Sequence, residues 1–176
     1  MHQATAIREP HEIINELPEP AARAALTRCC GAQRWVNGML ERRPFASLAA
    51  LLSSADKVWS KLDRDDYMEA FSHHPQIGTD LNELARKFAS TAQLSSAEQA
   101  GVAHADLATL TQLRDLNQLY AARFGFIFIV CASGKSAHEL LSVLEDRLHN
   151  DEKRELAAAA GEQAKITQLR LQHLTP

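Results

Sequence analysis

Little in this chain of 176 residues interrupts a helix: it carries seven glycines and six prolines, and no repeat or low-complexity linker divides it. Cysteine is equally scarce. Of the three, Cys29 and Cys30 are adjacent and cannot readily bridge each other, so a disulfide framework is not expected and free thiols in a reducing compartment are. Charge of one sign is missing too: 19 basic and 22 acidic residues are interspersed to a net charge of -3. That leaves no broad basic face for nucleic acid. No run approaches the roughly 18 apolar residues of a membrane span. Met1 to Pro10 lacks a charged segment followed by an apolar one, and Leu174-Thr175-Pro176 is not a Ser-Lys-Leu-type address. Cytoplasmic residence is the expectation by elimination. His-Glu-x-x-His and Cys-x-x-Cys are absent, so no metal site is expected. Gly134-Lys135-Ser136 ends like a phosphate loop, but Ile129 stands where the first glycine belongs.

What is present is 45% hydrophobic and 23% charged residues, enough for one domain, 1–176, with a real core. Apolar residues recur at helical spacing, as in Leu140, Leu141, Leu144 and Leu148, which predicts an all-α, single-domain multi-helix bundle. Helices are expected near 10–17, 19–30, 33–41, 45–54, 56–61, 64–72, 80–90, 96–121, 136–149 and 151–173. Caps paired with an acid in the first turn support several of these: Asp63 with Asp66, Asp80 with Glu83, Ser95 with Glu98 and Ser136 with Glu139. The exception is Arg123 to Ala132, whose aromatic and β-branched run predicts one buried extended segment near 124–132 with no partner strand nearby. Its backbone groups would then need neighbours or a ligand. Cys131 within it is expected to be hidden packing rather than a nucleophile, and Trp35, Phe45 and Trp59 are expected in the core or at an interface rather than as ligand stackers.

Two segments could carry chemistry. In Phe71-Ser72-His73-His74-Pro75-Gln76-Ile77-Gly78 the proline ends a helix and holds His74 extended, its imidazole aimed by the turn. An ordinary helix stop accounts for the same letters. Ser95-Ser96-Ala97-Glu98-Gln99-Ala100-Gly101 opens the longest helix, where amides and dipole favour anions and hydrogen-bonding ligands. A capping box accounts for Ser95 and Glu98 but not for Gln99 or the small residues after it. From the residues alone, a non-catalytic helical interaction module and a cofactor-free enzyme both remain open. Arg170 lies in the last turns of its helix, where a cation is favoured without any further role.

Taken in order, Arg43-Pro44-Phe45, His74-Pro75 with Ile77-Gly78, Ser95-x-x-Glu98-Gln99, Leu116-Asn117-x-x-Tyr120, Arg123-Phe124-Gly125-Phe126-x-Phe128 and Ile166-x-x-Leu169-Arg170-Leu171 form one pattern. It resembles the 2-oxo-4-hydroxy-4-carboxy-5-ureidoimidazoline (OHCU) decarboxylase family over nearly the whole chain. The resemblance implies an all-helical, commonly dimeric, cofactor-free enzyme of urate catabolism that forms (S)-allantoin. It implies His74 rather than His73 as catalytic histidine, Glu98 as its catalytic partner, and substrate contacts at Pro75, at Ser95, Ser96, Ala97, Glu98 and Gln99, and at Phe128, Ile129, Val130, Cys131 and Ala132. A different cofactor-free lyase or hydrolase acting on ureido compounds is the neighbouring alternative. Two positions depart from the pattern: Ile127 replaces a common proline, and Ser133 replaces a common arginine, for which Lys135 or Arg170 would have to substitute.

Overall fold

The computed structural model describes residues 8–75 and 96–175, with side chains described for 8–75 and 107–175. Among the described residues there are eight helices and no strand, as the all-α expectation requires. They are α1 (Pro10–Glu16), α2 (Glu19–Cys29), α3 (Gln33–Leu40), α4 (Leu48–Trp59), α5 (Arg64–Ser72), α6 (Ser96–Phe124), α7 (Ala137–Arg147) and α8 (Glu152–Gln172). The expected helix near 80–90 lies outside the described residues. The chain divides into two compact units, one of residues 1–73 with 161–176 and the other of residues 74–160.

In the first unit α3 packs against α2, α4 and α5. Its Trp35 is fully buried and satisfies its indole N–H on the Ala55 carbonyl at 3.2 Å. Ile14, Leu26, Val36, Met39, Leu51 and Leu171 are also fully buried in this unit, and Phe45 and Trp59 are buried as expected. The expected break between 45–54 and 56–61 is absent, because Leu51, Ala55, Val58 and Trp59 form one buried stripe along an unbroken α4. Ser47 starts that helix by accepting a hydrogen bond from the Ala50 N–H at 3.1 Å.

Arg43-Pro44-Phe45 has a structural explanation. Arg43 donates to the Asn15 and Leu17 carbonyls at 2.8 and 2.6 Å, satisfying the end of α1, while Asn15 brackets the Phe45 backbone through both its amide N and O at 2.8 Å. In α8, Gln168 donates to the Leu52 carbonyl and to Asp56, and Arg170 donates to the carbonyls of Arg28 and Cys29 at 3.1 and 3.4 Å, at the end of α2. Cys29 and Cys30 are free and buried. Burial pushes both thiols up to about 11, so they stay protonated at neutral pH.

The expected capping box at α5 is present. The Asp63 carboxylate accepts from the Asp65 and Asp66 N–H groups, and Asp66 Oδ2 accepts from the Asp63 N–H at 3.1 Å. Arg34 of α3 adds hydrogen bonds to Asp63 at 2.9 Å and to the buried Asp66 at 2.7 Å. The Asp66 N–H first, then the Arg34 guanidinium, hold the Asp63 carboxyl below the usual aspartate range. A lowered folded-state value means stability present above about pH 4 and lost as pH falls further. Thermal melts between pH 6 and pH 3 should therefore show Asp63→Asn less stable than the native chain at pH 6, with the gap narrowing below about pH 4. A gap that stays constant with pH would show that the carboxylate charge contributes nothing.

Candidate active site

The helix stop at the end of α5 is built from two histidines with separate duties. His73 is the C-cap of α5, its N–H directed to the Ala70 and Phe71 carbonyls. Its ring lies over buried Gly31: a Cβ placed there would meet His73 Cγ at 2.3 Å and Cβ at 2.8 Å. These atoms sit close to the His73 backbone, so they cannot swing away cheaply. Gly31→Ala should lower stability by about 1–3 kcal/mol by overpacking, which a denaturant melt checks; an unchanged midpoint would show that the two segments separate freely. His74 follows, half-buried, and Pro75 is exposed. Gln76, Ile77 and Gly78 lie outside the described residues.

The second candidate element is the run after α6. Helix α6 continues to Phe124 rather than stopping near 121, because Phe124 stacks one turn beyond Tyr120, ring centroids 4.7 Å apart, and Arg123 donates to the Asn150 carbonyl. Gly125, at φ 76, then turns the chain out of the helix, a conformation that costs glycine no Cβ clash. Phe126 and Phe128 both meet the edge of the Tyr120 ring, at 5.8 and 5.4 Å. After Phe124 the segment lies outside helix and strand, with Phe126 and Phe128 to Val130 buried.

Its backbone partner is a side chain on which the sequence reading placed no role. Arg147, the last residue of α7, donates from Nη1 to the Ile129 carbonyl at 2.6 Å, with its guanidinium carbon 4.7 Å from the Phe128 ring centroid. The same guanidinium donates through Nε and Nη2 to Glu155 Oε1, which also accepts from the Tyr120 hydroxyl, and Asn150 donates to Glu155 Oε2 at 2.8 Å. Burial, then the bond to Glu155, raises the Tyr120 phenol far above its usual range, so it remains a donor. A signal for Arg147 was present: it prolongs the stripe Leu140, Leu144, Arg147, where an apolar residue is the rule.

Phe128, Ile129 and Val130 are buried, while Cys131 and Ala132 are half-buried. The expectation that Cys131 is hidden is therefore corrected: a turn closed by the Lys135 N–H on the Ala132 carbonyl at 3.1 Å, with Gly134 at φ 74, brings the chain to the surface just after it. Lys135 is exposed, and Ser136 caps α7 with Glu139 in the box the sequence predicts. Backbone and side-chain bonds to Ser136 hold the Glu139 carboxyl below its usual range.

Ser96, Ala97, Glu98 and Gln99 fall in the first turns of α6. Ser95 and the side chains of those four lie outside the described residues, as does the Ser95–Glu98 capping box. His74, Glu98, Gln99 and Phe128 to Ala132 all belong to the 74–160 unit, and Arg170 belongs to the other. Among the described residues no group of three or more His, Cys, Asp or Glu could hold a metal ion, and no helix is long and apolar enough to cross a membrane.

Residues 15–172 match the family model described as OHCU decarboxylase. The chain is 37% identical over 147 residues to the uric acid degradation bifunctional protein TTL of Arabidopsis thaliana, covering 83% of this chain and 45% of that protein. It therefore spans less than half of that relative's length. It is 34% identical over 133 residues to the 2-oxo-4-hydroxy-4-carboxy-5-ureidoimidazoline decarboxylase of Amia calva, covering 75% of this chain and 74% of that one. A crystal structure of OHCU decarboxylase in the presence of (S)-allantoin superposes with a TM-score of 0.66 at 36% identity, covering 82% of this chain and 92% of its own. With matches of this length through both compact units, the chain belongs to the OHCU decarboxylase family.

Proposed function

We propose that the chain is a carboxy-lyase converting 2-oxo-4-hydroxy-4-carboxy-5-ureidoimidazoline to (S)-allantoin and carbon dioxide in urate degradation. It works without a cofactor, as a cytoplasmic homodimer, on a small-molecule substrate rather than nucleic acid or a membrane. The family match through residues 15–172 supports reading 1–176 as one OHCU decarboxylase-like domain. The observation that carries the reading within the structure is the run Phe128–Ala132, which lies outside helix and strand among the described residues and whose Ile129 carbonyl is held by a buried guanidinium. Such a run has peptide edges to offer a planar, hydrogen-bonding heterocycle.

The substrate supplies its own electron sink. As the bond from the ring carbon to the carboxylate breaks, the electron pair forms a double bond to the neighbouring ring carbon, whose C=N electrons move onto nitrogen. That nitrogen takes up one proton, a second reaches the ureido-bearing carbon from one face, and the hydroxyl proton leaves as the ring carbonyl forms. The protein's tasks reduce to orientation, stabilisation of developing charge and delivery of that proton. His74 serves as general acid or base, because imidazole titrates near neutral pH without large perturbation. Glu98 accepts hydrogen bonds from ring or ureido N–H groups, and the Gln99 amide donates and accepts. Pro75, Ser95, Ser96 and Ala97 complete one wall and Phe128 to Ala132 the other.

The test supplies freshly generated substrate and follows the optical activity of the product. Formation of one allantoin enantiomer faster than the spontaneous reaction supports the reading. Racemic allantoin at the spontaneous rate favours the interaction module, and consumption to another product favours a different lyase or hydrolase.

A further inference from the structure

Three buried groups of the 74–160 unit take no part in the chemistry above: Arg147, Glu155 and Tyr120 are 8%, 0% and 0% exposed. A buried ion pair needs only its own two partners, and Glu155 Oε1 already receives Arg147 Nε at 2.7 Å together with Nη2. The remaining terminal nitrogen, Nη1, leaves the carboxylate and reaches the Ile129 carbonyl at 2.6 Å, in the middle of Phe128–Ala132. The guanidinium also lies against the Phe128 ring, its carbon 4.7 Å from the centroid. One side chain therefore grips the ring of one residue and the backbone of the next.

Peptide planarity turns this grip into a direction. In a trans peptide the carbonyl and the following N–H point to opposite sides. With the Ile129 carbonyl held on Arg147, the Val130 N–H faces the other way. We propose that Arg147, clamped by Glu155 and Tyr120, is a positioning residue of the reaction: it sets the orientation of the 129–130 peptide and so the side on which the Val130 N–H meets the substrate. The inference rests on the function proposed above. Arginine suits the task because its planar fork donates in two directions at once, whereas a lysine ammonium at the same place satisfies Glu155 without also fixing the carbonyl.

The test is R147K, which keeps a cation beside Glu155. Loss of one charge-assisted bond to the segment should raise KM about tenfold with kcat within about threefold of the native chain. Amide exchange of the folded protein should quicken at 128–132 while the rest of α7 is unchanged, and (S)-allantoin should slow the Val130 amide in the native chain but not in R147K. A folded R147K with native KM and native exchange overturns the proposal, since a purely structural pair would lower the melting temperature alone. Should R147K fail to fold, Tyr120→Phe carries the test, because it keeps the ring among Phe124, Phe126 and Phe128 and removes only the hydroxyl, which donates to Glu155 and accepts from Arg147 Nη2 at 3.4 Å. A smaller rise in KM supports positioning, and an unchanged KM contradicts it. If the native chain itself shows no turnover, the functional reading falls, and the exchange comparison still decides whether Arg147 orders the segment.

Discussion

His74→Ala should lower kcat by a factor of about 10²–10⁴, the contribution typical of a positioned general acid or base, while binding of (S)-allantoin persists. The fold should hardly notice, since His74 is half-buried and lies beyond the last residue of α5. His73→Ala is the control. Its ring packs on Gly31 rather than preceding the proline, so its removal should leave turnover near native. Stopped assays of carbon dioxide release on both variants check this pair. Near-native turnover in His74→Ala would remove the imidazole from the chemistry, and a loss shared equally by both variants would point to damage of the helix end instead.

Arg147→Met should destabilise the chain by about 3–5 kcal/mol, because it strands a carboxylate in the interior. Glu155 is fully buried, and the Tyr120 hydroxyl and Asn150 amide that remain bring no compensating charge. The double variant Arg147→Met with Glu155→Leu leaves no buried charge and should recover a large part of that loss. Urea melts of the two single variants and the double variant measure the coupling. Additive losses would show that the two side chains do not depend on each other. The double variant also separates two roles: its stability should return while its substrate binding stays weak, since nothing then holds the Ile129 carbonyl.

The parts of this molecule that follow local rules could be read from its letters. Asp63 with Asp66 and Ser136 with Glu139 each announce a helix start within four residues, and both boxes form. The stripe Leu51, Ala55, Val58, Trp59 is equally local, yet it overrode an expected break because one continuous face buries more than two short ones. The run after Tyr120 was harder. Its β-forming residues correctly indicated a non-helical segment with buried residues, but packing of Phe124 on Tyr120 carried α6 past the point where propensity alone would end it. Cys131 was misjudged because composition reports an apolar neighbourhood and not the turn at Gly134 that leaves it half-buried.

Residues of the candidate site divide in the same way. His74 before Pro75 stands out because a proline constrains its neighbour. Arg147 shows only as a charge at the end of the stripe Leu140, Leu144, and Glu155 looks like an ordinary helix charge until tertiary packing joins it to Tyr120 and Arg147. The second layer of a site is set by contacts between elements, and no short motif encodes it.

A crystal structure of this chain with (S)-allantoin bound tests the central claim most directly. The account predicts the ureido-hydantoin in one cavity, with the His74 imidazole on one side, Glu98 and Gln99 at the start of α6, and the peptide edge of Phe128 to Ala132 opposite. Allantoin bound elsewhere, or those three elements parted by packed side chains with no space for a heterocycle, would contradict it.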